Sequence, residues 1–545
     1  MKVLSLGVFL LLSLPSANTP SVFTELTRKQ QKIIGCTPDW SGVDIGSMAE
    51  TMIPLPGSGS WNWKISTKSD SAQFYFNQGI NLYYAFHIVE AVPSFRKAQQ
   101  FDPECGMLYW GEALALGPNI NDVGYAASSA AFAAAEKAAG LAEKASAKEK
   151  LLINAMKVRY SKDSTADQSA LNELYAAAMR GVYSQFEKDA DVSSLMADAQ
   201  MLLHPWDFWQ HDGKAQPWTP ELVQLLEKIL KNAPRHPGAN HYYIHVVEAS
   251  DDPGRALKSA DRLADIAPSL SHLVHMPSHI YVRTGMYEKG IQVNTNALAG
   301  YERYKRLFPE VETKADLYDI HNRHLQAACA INLDDYQKAL KISDECRTSF
   351  TPDWLTLPVF GYYIQYIYMT PEITMTAFRK WDEILRQPEV HDSLVYAKLL
   401  QSFAKGVAAA RKGESAEAEN RLKTLEKLLE DTTLAAPIGP MNAPKSGSLV
   451  AQSLLRGAIA ESKGDKSAAI AAYRKAVELE DAMIYMEPKD WLLPARHWLG
   501  EALLSDSQWN EAAKVFQADL EKNPGNPYAK KGLNASKKKK QTIEM

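Results

Sequence analysis

Seven of the chain's 13 histidines lie between His241 and His324. They form three clusters: HYYIHVVE (His241 to Glu248), HLVHMPSH (His272 to His279) and HNRH (His321 to His324). His241 and His245 are four residues apart, and so are His275 and His279; on a helix each pair stands on one face, one turn above the other. Imidazole is the commonest protein ligand for zinc and copper and also serves iron and nickel. Each pair can therefore hold a metal ion or an anion. Three histidines, or two with Glu248, with one position left open would make a catalytic-type zinc site. The two pairs together with His321 and His324 supply six imidazoles, the number used by a coupled binuclear copper centre. Imidazoles gathered in a cleft repel once protonated and are costly to desolvate, so an ion or an acidic ligand is expected to bridge them.

The candidate metal ligands are thus His241, His245, Glu248, His275, His279, His321 and His324, and the candidate ions are copper, zinc and iron. His87, Glu112, His272, Glu487, Arg496 and His497 are candidates for orienting the ligand imidazoles from behind. The chain has no H-E-x-x-H motif, no Gly-rich phosphate loop, no G-x-S-x-G elbow and no C-x-x-C pair. These absences disfavour a familiar zinc protease, but they leave open whether such a centre is catalytic.

The elements that must position these side chains follow from a second spacing. The two histidine pairs are 34 residues apart, the period of a helical repeat. Counted from Ala72, Gly79 falls at position 8, Ala91 at 20, Phe95 at 24, Ala98 at 27 and Pro103 at 32. This resembles the tetratricopeptide repeat, a helix–turn–helix unit whose small residues let two antiparallel helices approach closely. The frame recurs with Ala256, Ala260 and Pro268; with Tyr281, Gly290 and Ala297; and with Ala327, Ala339 and Cys346. It returns with Gly406 and Ala418, with Gly457, Ala469, Tyr473 and Ala476, and with Gly500, Ala512, Phe516 and Pro524. A degenerate unit runs from Gly106 through the alanine-rich stretch Ala126 to Ala145, which is helical by propensity.

The resemblance implies an all-α solenoid, a superhelix of antiparallel helix pairs in which each unit buries its apolar face on its neighbours. It also implies that positions 2, 5, 9 and 12 of each first helix face the concave groove. His241, His275, His324 and His497 fall at position 5, His245 and His279 at 9, His321 at 2 and Glu248 at 12, which makes a histidine ladder on the inner wall. The stretches YFNQG (Tyr75 to Gly79), WGEALALGPNIN (Trp110 to Asn121), HYYIHVVEAS, HLVHMPSHIYVRTGMY and PARHWLG (Pro494 to Gly500) resemble a group of exported bacterial-type tetratricopeptide proteins. In that group the first unit carries Phe-Asn-His, whereas here Phe86-His87-Ile88 moves the histidine by one place.

The organisation expected is a signal peptide over 1–17, a loop-rich arm over 18–70 and repeat-like helices over 72–200. A Trp- and Pro-rich connection follows at 201–220, then His-rich central units at 221–350, further units at 351–434 and a Pro-rich joint at 435–448. The last units span 449–530, and a solvated basic tail holding Lys537 to Lys540 spans 531–545. Met1-Lys2, the apolar run Val3 to Pro15 and the small pair Ser16-Ala17 are the order of an export signal, so a secreted or periplasmic location is expected. Four cysteines permit two disulfides, with Cys329 and Cys346, on successive helices of one repeat, the expected bridge. A net charge of -4 over 545 residues gives no reason to expect nucleic acid, and no segment after the signal is apolar for long enough to anchor the chain in a membrane. Two functions fit. One is metal binding or metal-dependent chemistry on a small molecule or peptide in the groove. The alternative is a non-enzymatic scaffold that binds an extended peptide or protein partner.

Overall fold

The computed structural model describes residues 44–121, 128–163, 165–307, 315–358, 360–437 and 441–544. The expected signal peptide and Cys36 lie outside them. Among the described residues the architecture is all helical, and the sole β-type pairing is an isolated bridge from Trp209 to Ala215. Successive helices pack as antiparallel pairs: Asp70–Tyr84 on Ile88–Phe101, Ala315–Ile331 on Tyr336–Arg347, Pro444–Ser462 on Lys466–Asp481, Ala495–Ser505 on Trp509–Lys522. No helix among the described residues is long and apolar enough to cross a membrane.

The sequence dictates the pairs locally. Ser69 caps the Asp70 helix by accepting from the Ala72 amide at 3.2 Å, and Asp335 and Asp465 cap the helices that follow them in the same way. The small positions of the repeat set the approach of neighbouring helices. Phe95 is fully buried, and its ring is slotted between Gly79 and Gly111, where a Cβ would come within 2.8 and 2.4 Å of it. Tyr473 lies on Gly457 in the corresponding way.

Three parts of the expected organisation take a definite form, and one of them, the disulfide, is corrected. First, the described part of the N-terminal arm is a strap. After a short helix, Ile45–Thr51, the backbone amides of Leu55, Trp61, Trp63 and Ile65 donate to the side chains of Gln78, Asn81, Asn77 and Gln73 at 2.8–3.3 Å. Trp63 is buried edge-on against Phe76 and Trp110. Second, Cys329 and Cys346 are free buried thiols. They belong to different core clusters, Cys329 with Tyr287 and Ala339, Cys346 with Ile320 and Phe360, so no bridge joins them. Third, the basic tail is the second half of a helix, Pro527–Glu544.

The solenoid also folds back on itself. The Tyr287 hydroxyl donates to the Pro524 carbonyl at 2.9 Å, Asn526 to Asn332 at 2.8 Å and Lys531 to Asp334 at 2.6 Å. The irregular stretch 482–494 crosses the central units: the Leu492 amide donates to the Tyr366 hydroxyl at 2.9 Å, and Arg283 lies over the Tyr485 ring. The stretch 482–494 thus lies against the units that carry the histidines.

Candidate metal centre

Six histidines from three helical segments meet in the interior. Pro237–Val247 supplies His241 and His245, and Ala315–Ile331 supplies His321. The segment between them is interrupted at Met276, because Pro277 has no N–H to continue the backbone ladder. One half, Ser271–His275, carries His272 and His275; the other, Pro277–Arg283, carries His279. The donor atoms converge in two sets of three, His241 with His245 and His272, and His275 with His279 and His321, each set within 4.8 Å. Glu248 joins the sets, forming a third such group with His245 and His279. All are buried except His321, which is half-buried.

Hydrogen bonds fix which nitrogen of each ring is available. His241 Nδ1 lies 2.7 Å from the Tyr84 carbonyl and must donate to it. His275 Nδ1 lies 2.6 Å from Asn294 Oδ1, and the Asn294 amide nitrogen donates to the Gly290 carbonyl at 2.8 Å, so the Asn294 oxygen is the acceptor. His245 Nδ1 faces Glu248 Oε1 at 3.2 Å, while His279 Nδ1 faces Glu248 Oε2 at 2.5 Å and Glu487 Oε2 at 2.7 Å. Neutral His241, His245, His275 and His279 thus carry their free lone pair on Nε2. These atoms point at one another. His275 Nε2 stands 2.7 Å from His279 Nε2 and 3.1 Å from His321 Nε2, and His241 Nε2 stands 3.1 Å from His272 Nε2. His245 Nε2 and His272 Nδ1 are buried with no hydrogen-bond partner.

The electrostatics follow from burial. Desolvation, then repulsion from neighbouring imidazoles, pushes His241, His272 and His275 well below the ordinary range, and pushes His245 and His321 to about 3. His279 goes the other way: burial pulls it down, but Glu487 and Glu248 more than offset that and hold it up at about 10. Burial, then the Glu248 charge, raises Glu487. Apart from His279, which the two carboxylates hold in its charged form, the centre is a set of neutral, pre-oriented imidazoles of the kind that suits a transition metal.

Aromatic residues wall the set. Phe86 lies 4.5 Å from His241 ring to ring, Trp206 5.0 Å from His245 and Tyr318 5.2 Å from His272. Phe86 and Trp206 both adopt left-handed backbone conformations, with φ of 56° and 63°. Such strain in bulky residues persists only where the surroundings enforce it, and it gathers at functional sites.

The structure brings His241, His245, Glu248, His275, His279 and His321 together as expected, and it keeps Glu487 as a partner behind His279. His272, expected as a supporting residue, contributes a converging donor atom. His87 stays in support: it pairs with Glu90 at 3.0 Å, and its Nε2 accepts from the His272 amide at 3.4 Å. Four expected residues stand apart from the two sets. His324 packs on Tyr363 and Tyr366, outside both sets. His497 pairs with Asp519 at 3.0 Å and stacks on Tyr528. Glu112 binds Arg96 and Gln99, and Arg496 binds Asp481, each serving packing between units. Asn294, Phe86 and Trp206 are not singled out by the sequence; the shifted histidine after Phe86 is the one local sign.

Residues 454–482 match the family model described as tetratricopeptide repeat. A comparison with curated proteins finds no match. Among solved structures, the human IFIT1 dimer with m7Gppp-AAAA is 12% identical, with 93% of this chain and 99% of that chain covered and a TM-score of 0.31. Yeast Tom70 is 13% identical, with 87% and 90% covered and a TM-score of 0.29. The P58(IPK) TPR domain is 14% identical, with 87% and 99% covered and a TM-score of 0.21. Likeness at this level says nothing about the site.

Proposed function

We propose that this solenoid is a transition-metal protein that binds copper, zinc or iron in its central units and uses the ion for storage or for chemistry on a small molecule. One observation carries the reading. The donor atoms of six histidines converge in two buried sets, each within 4.8 Å, together with Glu248. Across the second set the Nε2 atoms of His275 and His279 face each other at 2.7 Å, bridged by the proton that His279 holds. An ion there would replace that proton and open the pair to about 3.3 Å, the separation of nitrogens on one tetrahedral ion at ~2.0–2.1 Å. The unpartnered His245 Nε2 adds a donor atom that a proton on His279 does not satisfy.

A small molecule would approach by one of two routes. His321 is half-buried, and a cleft of 730 Å³ lined by Trp209, Arg283, Tyr485 and Lys489 lies beside the segment that carries Glu487. The expected export through residues 1–17 belongs to the same proposal, and N-terminal sequencing of the mature chain reads it. The alternative, a scaffold for a protein or peptide partner, is supported by the repeat at 454–482. In that case a partner would bind away from the contacts that 482–494 makes with Arg283, His279 and Tyr366.

The test is metal content by mass spectrometry on the purified full chain, beside a His275→Ala/His279→Ala variant. Stoichiometric metal lost in the variant supports the centre. A wild type that stays empty after incubation with copper, zinc and iron would sink it and leave the scaffold.

A further inference from the structure

The 730 Å³ cleft beside the centre has walls of a definite chemistry, and they select one kind of occupant. We infer that it binds a small organic carboxylate, whose acid group is held by Arg283, Lys489 and the Tyr485 hydroxyl. The inference rests on the metal-binding reading above, for which it names the class of small molecule.

These three groups are the donors left over once the rest of the cleft is paired. Arg283 donates to neutral oxygens, the carbonyls of Glu248 at 2.8 Å and Ser250 at 3.0 Å. Lys489 donates to Asn523 Oδ1 at 2.7 Å, again a neutral group. Neither side chain is in an ion pair among the described residues. The Arg283 guanidinium lies over the Tyr485 ring, 4.9 Å from its centre. The Tyr485 hydroxyl is buried within electrostatic reach of that guanidinium, and it has no hydrogen-bond partner among the described residues. A guanidinium stays charged, and the lysine nitrogen and the phenol both donate, so a carboxylate is the complementary partner for the set.

The acidic residues of the lining do not oppose such a ligand, because they are engaged elsewhere. Asp481 pairs with Arg496 at 2.8 Å and Lys522 at 2.7 Å, and Asp212 pairs with Lys214. Glu480 accepts from the Ala495 amide at 2.7 Å, and Asp490 from the Asn442 side chain at 2.7 Å. Asp251 is exposed, where solvent and salt screen its charge. Trp209, Met483, Ile484 and Trp491 add apolar surface, which favours an organic acid over an inorganic anion.

The donors also stand where the ligand would meet the centre. Arg283 follows His279 by four residues, and Tyr485 and Lys489 flank Glu487 by two residues on either side. All three line a second, smaller cavity whose wall includes Glu487, the carboxylate behind His279. The acid group of the occupant would therefore lie on the side of the cleft that faces the histidines.

The experiment measures binding of acetate, benzoate and phenylacetate to the purified full chain by isothermal titration calorimetry, each beside its amide and all beside inorganic phosphate. At least one acid should bind, with its amide weaker by about tenfold or more. Lys489→Met and Tyr485→Phe should each weaken that acid by about tenfold and leave the amide unchanged. The Tyr485→Phe change removes a hydroxyl that bonds no described residue, so it should fold as the wild type does. Amides that bind as well as the acids, phosphate that binds as well as the best acid, no binding of any acid, or binding unchanged in both variants would each overturn the inference. The two readings fail separately. A chain that holds metal but binds none of the acids keeps the centre and loses this site, whereas one that binds an acid but takes up no metal keeps the site and loses the centre.

Discussion

Glu487 places its Oε2 2.7 Å from Nδ1 of His279, joining the irregular stretch near the C-terminus to the middle of the chain. That nitrogen also faces Glu248 at 2.5 Å, so both carboxylates hold the same ring with its Nε2 directed inward. Groups that orient ligand imidazoles typically change metal affinity by roughly 10–100-fold when removed. Glu487→Gln is expected to lower affinity toward the small end of that range, because Glu248 remains. Glu248→Gln, which also disturbs His245, is expected to cost more. Competition with a chelator of known affinity measures both; equal affinities in wild type and the two variants would contradict the assigned roles.

Asn294 gives a cleaner separation of position from charge. Its Oδ1 accepts from His275 Nδ1 at 2.6 Å, and nothing in that contact depends on ionisation. Asn294→Ala frees the ring to take the other tautomer, and affinity should fall by about tenfold. Asn294→Asp keeps an acceptor in place and should recover most of the loss. An Asp variant no better than the Ala variant would show that Asn294 acts through packing alone.

A stability prediction comes from Asp490, whose carboxyl accepts from the Asn442 side chain at 2.7 Å. Burial raises it to about 6, with the Asn442 bonds pulling partly the other way. The folded state therefore holds the proton more tightly than the unfolded chain, whose aspartate titrates near 3.9. For this group, stability is greatest below about pH 4 and falls as pH rises to about 6, by at most about 3 kcal/mol given its partial exposure. Asp490→Asn should remove that slope. The check is the difference in Tm between variant and wild type at pH 4.5 and pH 7: it should grow in the variant's favour at the higher pH, and a constant difference would count against the assignment.

Phe95 between Gly79 and Gly111 is a packing prediction independent of any metal. A methyl at Gly79 would come within 2.8 Å of the ring, and the ring cannot retreat because Gly111 closes its other side. Gly79→Ala gains helix propensity of about 1 kcal/mol but overpacks the core, with a typical cost of 1–3 kcal/mol. The expected outcome is a lower Tm, partly restored by Phe95→Leu in the same chain.

Much of this is legible in the order of the residues alone. The 34-residue frame places Gly79, Phe95, Gly457 and Tyr473 where they pack, and the paired H-x-x-x-H spacing finds four of the six converging histidines. What escapes it is non-local. His272 lies outside the H-x-x-x-H pairs, and it joins the ligand set through its 3.1 Å approach to His241 in the neighbouring unit. His324 and His497 share a frame position with His241 and His275 but lack their neighbours: one meets Tyr363 and Tyr366, the other Asp519 and Tyr528. Equivalent positions in a repeat share an orientation within the unit, not an environment. Nor does any local pattern announce that 482–494 crosses to the histidines, so an open groove is the natural expectation.

That crossing alters how the molecule should come apart. A linear array of repeats responds to denaturant unit by unit, since each touches only its neighbours, and its ends fray first. Here the last units are tied to the middle through Tyr287 and Pro524, Asn332 and Asn526, and His279 and Glu487. The terminal repeats cannot leave without breaking contacts in the centre. Cooperativity is thereby lent to an architecture that ordinarily has little: the stretch from the histidine helices to the Pro527 helix should melt as one, and amide exchange in its last helices should be as slow as in its core.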